Sequence, residues 1–208
     1  MTRTGSWTVV LAAAALAGPW AQGAEALDNP FAGGRWLKDW HRTSNKAHSH
    51  NEMLRVDALR PDERVAVFRR DLAFESVTIE VEFMVESAGT GERAFGVLFG
   101  STDSATYHAV HFGRREVALC RVQPEAKREV IARRGVAGRH EGVWHRAVID
   151  VEGTNVRVVF RGQHLFTARA EELRPGYIGL YAIEGRVQVR GLEYKGRRTR
   201  LPEAWEMR

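Results

Sequence analysis

WHRAVIDVEGTNVRVVFRGQHLF, residues 144 to 166, decides the fold. Ala147, Ile149 and Val151 alternate with Arg146, Val148 and Asp150, the period of two that a strand with one buried face requires. Glu152-Gly153-Thr154-Asn155 interrupts, and a second β-branched run follows from Val156 to Phe160; together they read as two strands around a tight turn. Arg161-Gly162-Gln163 supplies the next reversal before His164, Leu165 and Phe166. The whole stretch is one meander, with its arginines at the wet positions.

The same beat continues outward in both directions. Val65 and Val67, then Val77, Ile79, Val81 and Phe83, then Phe95, Val97 and Phe99 keep it, as do Val117 and Leu119, Ile178 and Leu180, Val187 and Val189. Turn residues recur about every ten positions, among them Gly89-Thr90-Gly91, Gly113-Arg114, Pro175-Gly176 and Gly185, the rhythm of a sandwich or barrel. No apolar stripe of helical period exceeds two turns; only Ala168 to Leu173, ahead of Pro175, reads as a helical turn. The predicted fold is all-β, an antiparallel two-sheet β-sandwich over residues 52–196.

The ends read differently. Residues 1–26 carry Arg3, an apolar run from Val9 to Ala17, then Gly18, Pro19 and small residues suited to cleavage after Gly23 or Ala26. That is the plan of a secretory signal peptide, and the run is too short to cross a bilayer, which takes about 20 residues. The expectation is an exported, periplasmic or extracellular protein without a transmembrane segment in its mature chain. Residues 27–51 read as a loop-rich segment that tucks Trp36 and Trp40 against a sheet, and residues 197–208 as a basic tail. The single cysteine, Cys120, shares strand parity with Ala118 and Val122, which suits a small buried side chain.

Charge narrows the partners. Without Arg3 the chain holds 30 basic against 26 acidic residues, a net of +4. Basic residues cluster only at Lys195, Arg197, Arg198 and Arg200, which argues against nucleic acid, since that partner wants a concentrated basic face with interleaved aromatics. Carbohydrate, an anionic glycan included, and an envelope surface stay open.

From Phe74 onward the chain resembles the jelly-roll sandwich of the concanavalin A-like lectin/glucanase superfamily, and within it the laminin G-like and 3-keto-disaccharide hydrolase groups. The resemblance rests on Phe74-Glu75-Ser76-Val77-Thr78-Ile79-Glu80-Val81-Glu82-Phe83, on Ala94-Phe95-Gly96-Val97-Leu98-Phe99-Gly100, and on Tyr107-His108-Ala109-Val110-His111-Phe112. It continues through Gly142-Val143-Trp144-His145-Arg146 and Gly176-Tyr177-Ile178-Gly179-Leu180-Tyr181 to Val187-Gln188-Val189-Arg190-Gly191-Leu192. The resemblance implies a concanavalin A-like jelly roll that binds or cleaves carbohydrate. The chain departs from the hydrolase pattern at His145, Arg161 and Tyr181, and the Glu-x-Asp-x-x-Glu signature of β-glucanases is absent.

Three functions follow from the polar residues. Glu80 and Glu82, two apart on a strand, point to one face about 7 Å apart, near the spacing of about 6.5–9.5 Å used by inverting glycosidases. With His111 they form the candidate catalytic set, Glu82 first. His108, Arg146, Tyr181, Gln188 and Arg190 form the candidate carbohydrate-binding set, planar donors and rings that suit sugar hydroxyls and sugar faces. His108 and His111, three apart, fall on opposite faces of a regular strand. His48 and His50 share parity with Glu52 and are the chelating geometry available, though polar loop residues of this kind more often bind nothing; no metal site and no cofactor is assigned, and bound calcium is left open. A lectin-like glycan-binding domain is the first reading, a glycoside hydrolase the second, and a structural envelope domain the third.

Overall fold

The computed structural model describes residues 29–61, 63–86, 93–103, 105–124, 127–138 and 141–200. The leader-like residues 1–26 and the end of the basic tail, 201–208, lie outside the described residues. A short 3-10 segment, Ala32–Lys38, precedes thirteen strands. They are β1 (Trp40–Arg42), β2 (Ala47–His50), β3 (Met53–Asp57), β4 (Arg64–Glu86), β5 (Ala94–Ser101), β6 (Tyr107–Phe112) and β7 (Glu116–Val122). β8 (Arg128–Gly135), β9 (Trp144–Glu152), β10 (Asn155–Phe160), β11 (Gln163–Arg169), β12 (Gly176–Ile183) and β13 (Arg186–Thr199) complete the series.

All ladders between these strands are antiparallel, and β4 belongs to two layers at once. Its first half pairs with β1 and β12. Its second half, from Ser76, pairs with β9 and β13. One layer, sheet A, therefore runs β11-β10-β9-β4-β13-β3-β2, and the other, sheet B, runs β1-β4-β12-β5-β6-β7-β8. This is the expected antiparallel sandwich.

The period of two explains the core. Val77, Ile79, Val81 and Phe83 from sheet A meet Val97, Phe99, Val110 and Leu119 from sheet B in one buried cluster, each such side chain contributing about 1.5–3 kcal/mol by leaving water. Phe83 anchors one end, its ring 4.2 Å from that of Phe95 and 5.0 Å from that of Phe112. The β10–β11 reversal places Arg161 at φ 55° and Gly162 at φ 76°, the left-handed pair that a two-residue turn matching strand twist requires.

Three local expectations are corrected, the first being the start of the basic tail: Arg197 to Thr199 continue β13 and pair with Ser76, Phe74 and Ala73 of β4. Residues 27–51, read as loop-rich, supply the 3-10 segment and two edge strands, β1 on sheet B and β2 on sheet A. Strands of three and four residues at an edge pair on one side only and are too short to show a period. The tucked tryptophans hold: Trp36 and Trp40 are buried against Phe31, ring centroids 5.9 and 5.6 Å away. Ala168 to Leu173 does not form a helical turn; β11 runs on to Arg169 and a single Leu173 N–H to Ala170 carbonyl bond of 3.0 Å closes the turn behind it.

Candidate functional site

Each sheet has an inner face on the core and an outer face, and the polar residues sort between the two outer faces. On sheet A, Glu80 and Glu82 from β4, Trp144, Arg146 and Asp150 from β9, Arg157 from β10, and Arg186, Gln188 and Arg190 from β13 alternate with core positions and share the outer side. They are tied across strands. Arg146 bonds Glu80, Arg190 Nε donates to Glu82 at 2.9 Å with its guanidinium 4.3 Å over the Trp144 ring, and Gln188 bonds Glu86. Arg186 reaches Asp57 at 2.7 Å and Glu86 at 3.0 Å. Burial by itself would raise the Asp57 carboxyl, but hydrogen bonds from Arg186 and Arg55 outweigh it and leave the group below its usual range. Cross-strand pairs of this kind keep a sheet face soluble and contribute little each, about 0–1 kcal/mol.

At the end of this face near the β9–β10 turn the charge lattice opens into a cleft of about 520 Å³. Thr78 Oγ1 donates to Asp150 Oδ1 at 2.8 Å, and Arg157 Nε lies 3.5 Å from Asp150 Oδ2. Ser76, Glu152, Asn155 and Lys195 stand around that hub over a floor of Val77 and Val151.

The outer face of sheet B is different in kind. Ala66, Phe68, Leu98, Ala109, Val122 and Ile183 form a second apolar cluster there together with Tyr107 and Tyr181. Tyr181 pairs with Gly96 on the next strand and lays its ring across it, so that a Cβ at Gly96 would lie 2.0 Å from the ring; only glycine fits. Tyr181 Oη lies 3.2 Å from His111 Nδ1, and Arg128 Nη1 lies 3.3 Å from His111 Nε2. A guanidinium only donates, so Nε2 accepts and the ring proton sits on Nδ1, facing Tyr181. From the other side Arg64 Nη1 donates to Tyr107 Oη at 2.9 Å, with its guanidinium 5.3 Å from the Tyr181 ring centroid. Burial pushes both tyrosines above the usual phenol range, although the Arg64 charge opposes it.

Arg64 stands out here. It is half-buried, its Nε is enclosed without an acceptor, and no carboxylate among the described residues forms an ion pair with it. Sequence reasoning missed Arg64 and Arg128, because only the order of the strands brings positions 64, 107, 111, 128 and 181 together.

The residues grouped from sequence are thus divided. Glu80 and Glu82 lie on the outer face of sheet A and His111 on the outer face of sheet B, so the three do not form one acid/base set; the two-residue period fixes faces within a strand but not which sheet the strand joins. Of the binding set, Arg146, Gln188 and Arg190 share the sheet A face, whereas Tyr181 sits on the sheet B face. His108 lies in neither place. It turns inward, 5% exposed, and stacks on Phe99 at 6.5 Å with an interplanar angle of 20°. The opposed facing of His108 and His111 follows their spacing. His48 and His50 do share the outer side of β2, opposite Arg55 and Met53, yet among the described residues no group of three His, Cys, Asp or Glu side chains is placed to hold a metal ion. No described helix is long and apolar enough to cross a membrane.

No protein-family model and no curated protein matches the chain. Solved structures do. A carbohydrate-binding module from Bacillus subtilis is similar over 76% of this chain and 96% of its own, with a TM-score of 0.67 and 14% identity. A galectin-like protein of unknown function from the same organism gives 0.64 and 11% identity over 83% of this chain and 96% of its own. The potassium-bound carbohydrate recognition domain of Emp46p gives 0.62 and 11% identity over 83% of this chain and 96% of its own. At such identities the likeness is one of fold, and the fold is the galectin-like jelly roll of the concanavalin A-like type.

Proposed function

We propose that this protein is an exported carbohydrate-binding domain that recognises an acidic glycan on the outer face of sheet B. The observation that carries the reading is Arg64, a half-buried guanidinium beside two tyrosines without a carboxylate of its own among the described residues. A half-buried guanidinium that spends one nitrogen on a phenol and has no carboxylate partner is a strong receptor for a carboxylate. Arg128, held toward the same Tyr181 by way of His111, adds a second positive charge, and both guanidiniums act on that phenol. The floor is closed, with Tyr181 and His111 each 1% exposed, so on this reading the ligand is met by the arginines and not by the rings.

Support of a coarser kind comes from the fold, since a carbohydrate-binding module and a carbohydrate recognition domain share it, and from the signal-like residues 1–26. Hydrolysis is the weaker reading, because Glu80 and Glu82 are occupied by Arg146 and Arg190 and stand on the other sheet from His111. Calorimetric titration with glucuronate and galacturonate oligosaccharides tests the proposal against their neutral hexose counterparts. The acidic series binds, and Arg64→Gln weakens it about tenfold, the scale of one charge-assisted pair. No heat from the acidic series, or an Arg64→Gln variant that binds it as the parent does, overturns it.

A further inference from the structure

We propose that the open cleft at the turn end of sheet A's outer face is a second sugar site, built for a neutral polyhydroxylated ring. This goes beyond the reading above, because it lies on the other sheet and uses none of the same residues. The cleft, about 520 Å³, is within the range of about 300–1,000 Å³ typical of small-molecule sites. Its groups are unlike those on the rest of the face. Farther along, Arg146, Arg186 and Arg190 each hold a carboxylate, whereas here Ser76, Glu152 and Asn155 have no side-chain partner among the described residues.

What these groups offer is a mixed set: a hydroxyl that donates and accepts, a carboxylate that accepts, and a carboxamide that does both. Adjacent hydroxyls of a sugar ring, each a donor and an acceptor, satisfy such a set. Asp150 at the centre is held by Thr78 and Arg157, so one acceptor is fixed in place before a ligand arrives. The wall is fixed as well: β13 approaches so closely at Gly196 that a Cβ there would lie 2.0 Å from the Ser76 carbonyl oxygen.

Charge decides the ligand class. Arg157 is paired with Asp150 and Lys195 with Glu193, so both cations of the lining already face a carboxylate and the cleft has no reason to favour a uronate. The Arg64 site is cationic. The two faces therefore separate ligands by charge.

Amide chemical-shift titration of the ¹⁵N-labelled protein with neutral gluco-, manno- and galacto-configured trisaccharides tests this, with a glucuronate trisaccharide alongside. At least one neutral sugar shifts the amides of Ser76, Thr78, Asp150 and Asn155. Asn155→Ala, at an exposed position, weakens that binding at least fivefold, and Asp150→Ala does so more strongly; their spectra report directly whether each variant is folded. Arg64→Gln leaves neutral-sugar binding unchanged even if it abolishes glucuronate binding, so failure of either proposal is seen apart from the other. The inference is overturned if no neutral sugar moves these amides, if folded Asn155→Ala binds as the parent does, or if the neutral-sugar shifts are lost in Arg64→Gln.

Discussion

His108 shows what a single buried titratable group does to the whole fold. Burial, then the neighbouring Arg121 charge, pushes its pKa down to about 4, with Glu172 opposing. In the unfolded chain the same ring titrates near 6.5. As the pH falls from 7 towards 4 the unfolded chain takes up a proton that the native ring refuses, so stability drains away over that window. The loss is on the order of 3 kcal/mol by pH 4. Urea unfolding at pH 7, 5.5 and 4 should show His108→Gln losing about that much less than the parent, and parallel losses would refute the assignment. The facing of His108 and His111 was legible from their spacing alone. That Tyr181 would lie across Gly96 was not, because the neighbour of β12 is β5, some eighty positions away, and no local period carries that information.

At the level of the element, the meander of β9, β10 and β11 was readable because each strand alternates and each reversal has its glycine. Gly162 is the sharpest case. With φ at 76° and no atom within 4 Å of a built Cβ, a side chain there meets no clash and only the backbone objects. Gly162→Ala should therefore cost about 1 kcal/mol through conformation alone, seen as a lowered urea midpoint with an unchanged m-value; a neutral result would mean that the turn relaxes into another type. Edge strands escaped the sequence for the opposite reason. β1 and β2 have three and four residues, and Trp40 and Ala47 each bury one side chain without a second on the same strand to mark a beat.

For the molecule as a whole, β4 matters most. It is 23 residues long and lends one half to each sheet, so the two layers share one covalently continuous strand, central in sheet A and next to the edge strand β1 in sheet B. Native-state hydrogen exchange should find the amides of both halves of β4, and those of β9 and β12 beside it, opening with one common free energy, while β1 and β2 open more easily. A sub-global opening confined to one sheet would contradict this coupling. The fold class was open to sequence reasoning because most core positions sit on the two-residue beat, as from Val77 to Phe83 and from Ile178 to Ala182, with Phe74, Ala170 and Leu173 as exceptions. The candidate sites were only half open to it: a face is a property of parity, but the gathering of Arg64 with Arg128, and of Asp150 with Lys195, is a property of strand order. That order also turns the two outer faces away from each other, on opposite sides of a slab whose layers are about 10 Å apart. Sugars bound at the two proposed sites would therefore stand back to back across the sandwich, with no residue shared between them.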